Sequence, residues 1–246
     1  MTPPDRGSRN RLLAALTNQE LELLRPSLEE VPFTLRQVLE TPGKIIPYAY
    51  FPESGLASVI AHTRQDRQIE VGMVGFEGMT GLSLVLGDDR AANETLIQAP
   101  GLALRISSAD LRRALAASPP LRAVLARYVN VFMTQASQTA LANGRAKLEE
   151  RLARWIMMSH DRFAGGDLKI THEYLSIMLG VRRPGVTIGL HFLEGKGLIR
   201  STRGLITVID REGLYELANG SYGIPEAEYE RLLGHPGAVT GAAAPC

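Results

Sequence analysis

The sequence places a serine, a histidine and an aspartate side by side at Ser159, His160 and Asp161. In catalytic triads these residue types act as the nucleophile, the general base and the carboxylate that orients the base. The chemistry that these types suggest is acyl transfer, in which a histidine moves a proton between a serine and its substrate while a carboxylate orients the ring. Neighbours on one helix point about 100° apart, so these three side chains cannot form a hydrogen-bonded relay. The sequence therefore predicts no catalytic residue and indicates that the protein is not an enzyme.

Metal and thiol chemistry has little support in the sequence. A metal-dependent β-roll enzyme, which is the remote alternative, needs His and carboxylate side chains clustered on adjacent strands. Of the five histidines only His62 falls in the strand-rich half of the chain. The single cysteine, Cys246, can form no internal disulfide and no thiolate cluster, which is typical of a reducing cytoplasm. We expect no metal and no cofactor.

Positive charge is concentrated in one segment of the chain. The 246 residues carry a formal net charge of only +1, but residues 144–203 hold 11 Lys and Arg against 6 Asp and Glu. A localised basic segment is a first sign of nucleic-acid binding, although a solvated surface gives the same count. The order of residues inside the segment decides between these interpretations.

The basic segment has the pattern of two short helices followed by a pair of strands. Thr171 can cap a first helix, and Gly180 supplies the left-handed residue that ends it. Pro184 then favours the first turn of a second helix. Two short helices joined by such a turn form a helix-turn-helix, and the strand pair LIRS and LITVID that follows predicts a winged helix.

Polar side chains fall where contact with DNA needs them. The N-terminal part of the second helix is the part that enters the major groove, where an arginine can bond guanine through two hydrogen bonds. No acidic residue occurs in that helix before Glu194. The predicted DNA-binding residues, on both helices and in the wing, are Thr171, Arg182, Arg183, Thr187, His191, Arg200 and Arg203.

The N-terminal half of the chain has a different texture. From Val31 to Ser107, six short apolar or alternating runs are separated by turn signals about every ten residues. Many short strands with regular turns are typical of an antiparallel barrel or jelly roll. The sequence therefore predicts an α+β protein with an N-terminal antiparallel β-roll, a long helix and a C-terminal winged helix-turn-helix.

The long helix is predicted between the two halves, from Leu121 to about Asn143. Apolar side chains recur there at steps of three and four, so they share one face over about six turns. A stripe of this length is typical of a dimer seam, although packing on the chain's own β-roll gives the same pattern. The predicted seam consists of Leu121, Leu125, Tyr128, Phe132 and Ala136.

These elements divide the chain into four expected parts. Residues 1–118 form the β-roll with short flanking helices, residues 119–144 the dimerisation helix and hinge, and residues 145–223 the DNA-binding domain. Residues 224–246 form an acidic and then low-complexity tail, of which we expect the last dozen residues to be disordered. No segment has the ~18–20 consecutive apolar residues of a membrane span, and no secretory signal is visible, so we expect a cytoplasmic protein that does not bind membranes.

The order of these parts resembles the Crp–Fnr family of dimeric transcription regulators over about residues 20–215. The likeness is strongest in EYLSIMLGVRRPGVTIGLHFLEGKGLI, which is similar to that family's helix-turn-helix and first wing strand. The resemblance implies a homodimer on a palindromic operator, with Arg183 in the place of the base-reading arginine and RNA polymerase as a further partner. Pro184 and Ile188 depart from the family pattern, so the resemblance implies no half-site preference.

The resemblance also implies an effector pocket in the β-roll, where this sequence departs further. The family's phosphate cassette has a Glu for the ribose and an Arg-Ser pair for the cyclic phosphate. Here the Glu position is Met79 and the Ser position is Ala91. The loss of two polar contacts predicts that cyclic AMP and cyclic GMP are not the effectors. The pocket residues implied by the resemblance are Met79, Thr80, Gly81, Arg90, Ala91 and Ser137.

Two interpretations of the function stay open at this point. The favoured one is a homodimeric DNA-binding regulator whose β-roll either senses an unknown small molecule or acts without one. The alternative is a cyclic-nucleotide-responsive regulator that tolerates the altered cassette.

Overall fold

The N-terminal half folds into two antiparallel sheets that face each other. A computed structural model describes residues 8–65, 67–163, 166–202 and 204–234. Within these residues the strands pair in the orders β1-β7-β3 and β2-β6-β4-β5. The strands are β1 (Glu29–Phe33), β2 (Val38–Glu40), β3 (Tyr48–Pro52), β4 (Leu56–His62), β5 (Gln68–Val74), β6 (Glu94–Ala99) and β7 (Gly101–Ser107). The predicted β-roll is confirmed, and each strand overlaps one of the apolar runs of the sequence, with β1 and β2 both in the first.

Strand β4 is buried on both faces. Ala57 and Val59 belong to the core between the two sheets, whereas Leu56 and Ile60 pack with helices of the C-terminal half. This double burial explains why the strand reads LASVIAH, with a near-continuous apolar run instead of alternation. The sheet of β4 therefore forms a wall between the β-roll core and the C-terminal helices.

Short helices pack around the β-roll. Asn10 caps the first of them and Thr17 the second, and in each case the side chain accepts a hydrogen bond from the backbone N–H three residues on. Gly81 and Gly87 flank the third with left-handed backbones, at φ of 75° and 93°. These helices are α1 (Arg11–Ala14), α2 (Asn18–Leu24), α3 (Leu82–Leu86) and α4 (Ser108–Ala117).

The long helix α5 (Pro119–Arg145) packs its apolar stripe against the chain's own β-roll. The predicted seam residues Leu121, Leu125, Tyr128 and Phe132 are all between 0 and 8% exposed in the single chain, and Ala136 is half-buried. The stripe was predicted to be a dimer seam, and in the single chain the β-roll side of the protein already buries four of its five residues. An amphipathic stripe shows that a helix face is buried but does not show which surface covers it.

The C-terminal half contains the predicted winged helix. Its elements are α6 (Leu148–Arg162), β8 (Leu168–Lys169), α7 (His172–Met178), α8 (Arg183–Gly195), β9 (Ile199–Thr202), β10 (Leu205–Val208) and α9 (Arg211–Leu217). The wing sheet has the order β8-β10-β9, so β8 adds a strand that the sequence did not predict. No helix of the described residues is both long enough and apolar enough to cross a membrane.

A further helix, α10 (Ile224–Leu233), folds back onto α5. Tyr229 and Leu233 lie in the same core as Leu125 and Val129. The sequence analysis placed these residues in a tail and did not predict a helix there. The dozen residues for which disorder was expected lie outside the described part of the chain.

Two buried polar contacts join α6 to strand β5 and the turn after it. Trp155 Nε1 donates to Glu70 Oε1 at 2.8 Å, and Arg162 Nε pairs with Glu77 Oε1 at 2.7 Å. Burial raises the pKa of Glu70 to about 7, an effect that hydrogen bonds from Ser58 and Trp155 only partly oppose. The contact between the two halves of the chain is therefore polar as well as apolar.

Candidate nucleic-acid interface

The predicted helix-turn-helix consists of α7 and α8. Thr171 caps α7 by accepting a hydrogen bond from Tyr174 N at 3.2 Å. Gly180 takes the predicted left-handed conformation, with φ of +61°, and so reverses the chain between the helices. Arg182 is the N-cap of α8, and Pro184 lies in its first turn, where it loses no hydrogen bond.

Close packing against α6 fixes which face of α8 is free. A Cβ atom on Gly189 would lie 2.4 Å from Leu152 Cδ1, so a larger residue would force the Leu152 side chain to shift. Val186, Leu190 and Leu193 are fully buried on the same side. The opposite side of α8 therefore faces solvent along the length of the helix.

The structure brings most of the predicted DNA-binding residues to this free surface. Arg183, Thr187 and His191 follow one another at steps of four, which places them in one row along α8. The residues found exposed are Thr171, Arg182, Arg183, His191 and Arg200, and Thr187 is half-buried. Arg203 lies outside the described residues, so its predicted role stays a prediction.

Two of these side chains are already engaged within the protein. The Thr171 hydroxyl serves as the cap of α7. Thr187 Oγ1 donates to the Arg183 carbonyl at 3.3 Å and lies 3.0 Å from Nδ1 of His172. The Thr187 hydroxyl therefore links α8 to α7, whereas the Thr171 hydroxyl bonds within α7 itself, and the arginines and His191 are the freer groups for contact with DNA.

One exposed side chain on α8 was not among the predicted contacts. Ile188 is 67% exposed, although it is apolar and lies between the buried Val186 and Leu190. Apolar groups in the major groove contact the methyl group of thymine. The signal in the sequence was its position, because Ile188 falls outside the stripe of buried residues in the helix.

The acidic residue nearest the end of α8 is turned into the wing. Glu194 Oε1 accepts a hydrogen bond from Ser201 N at 2.9 Å, which ties the helix to β9. Its carboxylate is therefore occupied, and the row of Arg183, Thr187 and His191 carries no acidic neighbour. A surface of this charge suits the phosphate-lined edge of a DNA groove.

The β-roll pocket implied by the resemblance is small. Met79, Thr80 and Gly81 line a cavity of about 60 Å³. Arg90 points away from it, is exposed and donates to the Gly43 carbonyl at 2.9 Å. Ala91 is buried in the core beside α3, and Ser137 lies on the exposed face of α5. The structure therefore brings together only the first three of the six residues.

A carboxylate of the chain itself occupies the start of α3 in this pocket. Glu40 Oε1 accepts a hydrogen bond from Gly81 N at 2.8 Å, at the end of the helix where an anion would otherwise bind. Burial raises the pKa of Glu40, which hydrogen bonds from Gly81, Thr95 and Thr80 partly offset. The sequence analysis did not single out this residue, because it lies about 40 residues before the cassette.

Ser159, His160 and Asp161 form no relay. Ser159 Oγ is buried 3.9 Å from Met73 Sδ, whereas Asp161 accepts hydrogen bonds from Arg211 and Tyr222. Across the described ranges, no three His, Cys, Asp or Glu side chains are grouped as metal ligands.

Comparison with known protein families identifies the C-terminal part of the chain. Residues 150–217, which run from α6 through α9, match the model of the Crp-like helix-turn-helix domain. No curated protein sequence matches the chain significantly.

Solved structures share the fold over most of the chain. A protein assigned to the crp/fnr family from Eubacterium rectale is 18% identical, with a TM-score of 0.68 over 87% of this chain and 100% of its own. FixK2 from Bradyrhizobium japonicum is 16% identical, with a TM-score of 0.67 over 77% and 96%. A CRP/FNR family transcriptional regulator from Thermus thermophilus is 23% identical, with a TM-score of 0.63 over 78% and 100%.

These findings establish the fold of the chain and the family of its C-terminal domain. A β-roll, a long helix and a winged helix-turn-helix in this order are the fold of the Crp/Fnr regulators. Within that fold, residues 150–217 are a Crp-like helix-turn-helix domain, which is a DNA-binding module. The resemblance predicted from the sequence is confirmed.

Proposed function

We propose that the protein is a homodimeric transcription regulator that inserts α8 into the major groove of a palindromic operator. The observation that carries this proposal is the free face of α8. Arg183 and His191 are exposed in one row there, while the opposite face is locked against α6 through Gly189. An exposed basic row on a helix-turn-helix is the surface that reads base edges in such proteins.

The proposed dimer uses the face of α5 opposite the buried stripe. Its exposed residues recur at alternating steps of three and four, which is the heptad spacing of a coiled coil. Most are small, so two helices could approach closely, and Met133 is 60% exposed. This surface, called the α5 stripe below, consists of Ala123, Ala126, Asn130, Met133, Ser137 and Ala140. A second copy of the chain is the partner that supplies the matching stripe.

Several further properties belong to this proposal. The division into a β-roll, a dimer helix and a DNA-binding domain is kept, with residues 224–233 added as a helix against α5. We expect the protein to act in the cytoplasm, not to be an enzyme, and to influence transcription by contact with RNA polymerase. The small β-roll pocket, with its own carboxylate inside, speaks against the cyclic-nucleotide alternative.

The test is selection of bound sequences from a random duplex library, followed by affinity measurements on the recovered DNA. We expect a two-fold symmetric site with half-sites centred about 10–11 base pairs apart. Affinity for this site should exceed affinity for random DNA by about 10³-fold or more at the same salt concentration. Recovery of DNA without two-fold symmetry, or equal affinity for random duplexes, would contradict the proposal.

A further inference from the structure

A cavity larger than the β-roll pocket lies outside the β-roll. It has a volume of about 220 Å³ and lies where the turn after β5, α5, α6 and α10 meet. Phe76 and Glu77 line it from the β5 side, Phe132 from α5, Arg162 from α6 and Tyr229 from α10. We call this space the junction cavity, because its walls come from both halves of the chain.

Two buried polar atoms at the junction cavity have no hydrogen-bond partner among the described residues. They are Oε2 of Glu77 and the hydroxyl of Tyr229, and Tyr229 is only 5% exposed. Buried polar atoms are nearly always paired, because leaving one unpaired costs about 1–3 kcal/mol. A ligand that donates a hydrogen bond to Glu77 and contacts the Tyr229 hydroxyl would satisfy both.

The charges of the lining side chains indicate which charge a ligand of the junction cavity carries. The cavity is lined by four carboxylates and two arginines. Both arginines are paired, Arg162 with Glu77 and Arg11 with Glu230, and Asp161 is paired with Arg211. Glu226 forms no such ion pair in the described structure and accepts a hydrogen bond from Gly223 N at 3.1 Å, although its charge acts to raise the pKa of Arg162 and of Arg154. Among the lining residues themselves carboxylates outnumber arginines, which favours a cation over an anion.

The remaining walls are apolar and aromatic. Phe76, Phe132 and the rings of Tyr128 and Tyr229 surround the space between the charged groups. Aromatic faces attract cations and also cover apolar rings. A cavity of about 150 Å³ holds a benzene molecule, so the junction cavity has room for one ring and a short polar arm.

We propose that the junction cavity binds a small organic cation, namely a protonated amine or amidine attached to a single ring. The cationic group lies between Glu77 and Glu226, and the ring packs among the aromatic side chains. Such a ligand contacts the β-roll, the long helix and the DNA-binding half at once. Its binding does not depend on the function proposed above, whereas a role as an effector would rest on that function.

Isothermal titration calorimetry without DNA tests the site with three probes of similar shape. These are 2-phenylethylamine as the cation, 2-phenylethanol as the neutral analogue and 3-phenylpropionate as the anion. We expect the cation to bind with a dissociation constant of about 1 mM or tighter, the neutral probe at least about tenfold more weakly, and the anion not at all.

Two variants on α10 form a matched pair. Glu226→Gln removes the unpaired charge, and glutamine keeps the capping hydrogen bond to Gly223 N. We expect this variant to weaken binding of the cation by about tenfold and to leave the neutral probe unaffected. Glu228→Gln removes the same charge from a residue that faces Asn130 and Arg231 outside the junction cavity, and it should change neither.

A further variant, Tyr229→Phe, keeps the ring and removes the buried hydroxyl, and should weaken cation binding less than Glu226→Gln does. The thermal unfolding midpoint of each variant shows whether it is folded. No heat of binding for the cation at about 10 mM, equal binding of cation and neutral probe, or equal effects of the two glutamine variants would each overturn the proposal. DNA binding measured without any ligand is unaffected by these results, so the two proposals fail separately.

Discussion

The helix-turn-helix and the β-roll pocket differ in whether their polar side chains are free to bind a partner. On α8 the side chains of Arg183 and His191 are left exposed, and the nearest carboxylate is tied into the wing. In the β-roll pocket, Glu40 fills the start of α3, and only about 60 Å³ is left free. A surface that binds a partner keeps its hydrogen-bonding groups unpaired. In the β-roll pocket the hydrogen-bonding group at the start of α3 is already paired within the chain and is not available to a ligand.

The largest expected effect concerns the α5 stripe, on which the use of two recognition helices depends. Met133→Glu places two like charges at the proposed seam, so we expect a folded monomer by light scattering. Losing the second half-site should weaken operator binding by about 10²–10⁴-fold, because the second contact is then no longer intramolecular. Ala116→Glu, an exposed residue of α4 with the same charge change, is the control and should stay dimeric.

The variant Leu125→Glu tests whether the dimer seam lies on the α5 stripe or on the buried face of the same helix. Leu125 is fully buried against the chain's own core, so a charge there should unfold the protein instead of yielding a folded monomer. A folded, monomeric Leu125→Glu variant together with a dimeric Met133→Glu variant would return the seam to the predicted stripe.

The two halves also differ in how far the sequence could predict them. The helix-turn-helix depends on local signals, such as Gly180 and Pro184, and the predicted boundaries and free face agree with the structure. The strands of the β-roll were also predicted from local signals, namely short apolar runs separated by turn residues. The partner of the α5 stripe, the place of Glu40 and the fold of α10 depend on contacts between residues far apart in the chain. Local periodicity does not contain that information.

The second prediction tests which arginines of the DNA-binding surface contact bases and which contact phosphates. Arg183→Ala should cost about 1–3 kcal/mol per half-site and relax the preference at one base pair, as loss of a base contact does. Arg200→Ala, in the wing strand β9, should weaken operator and random DNA alike and reduce the salt dependence. Competition titrations at several salt concentrations distinguish the two, and an equal loss on operator and random DNA for Arg183→Ala would remove its proposed role.

The third prediction concerns the buried carboxyl that links the β-roll to α6. The folded-state pKa of Glu70 is about 7, above its ordinary value near 4.5. Between these two pH values the folded protein therefore keeps a proton on Glu70 that the unfolded chain has released. Stability from this group is therefore complete below about pH 4.5 and is lost as the pH rises through about 7. Glu70→Gln should remove on the order of 2–3 kcal/mol of this pH dependence, measured by urea unfolding between pH 5 and 8.

A spectroscopic readout accompanies that measurement. Trp155 is the only tryptophan and donates to Glu70, so its fluorescence should titrate near pH 7 in the original protein and not in Glu70→Gln. The exposed Glu30→Gln in β1 is the control and should keep the titration. If the fluorescence titration persists in Glu70→Gln, another group causes it.

The smallest expected effect is none at all, and it concerns the β-roll pocket. Sites for drug-sized ligands have volumes of about 300–1,000 Å³, several times the space beside Met79. A cyclic phosphate would also meet the Glu40 carboxyl at the start of α3 instead of free N–H groups. Titration calorimetry with cyclic AMP and cyclic GMP should therefore show no binding as tight as about 10 µM, which corresponds to about −7 kcal/mol. Restoring the family's polar pair with Met79→Glu and Ala91→Ser should not create such binding, because the double change leaves Glu40 in place and adds no space. A dissociation constant of about 10 µM or tighter for the original protein would show that Glu40 and its neighbours move aside for a ligand, and the contrast between the two regions would then be one of conformation and not of composition.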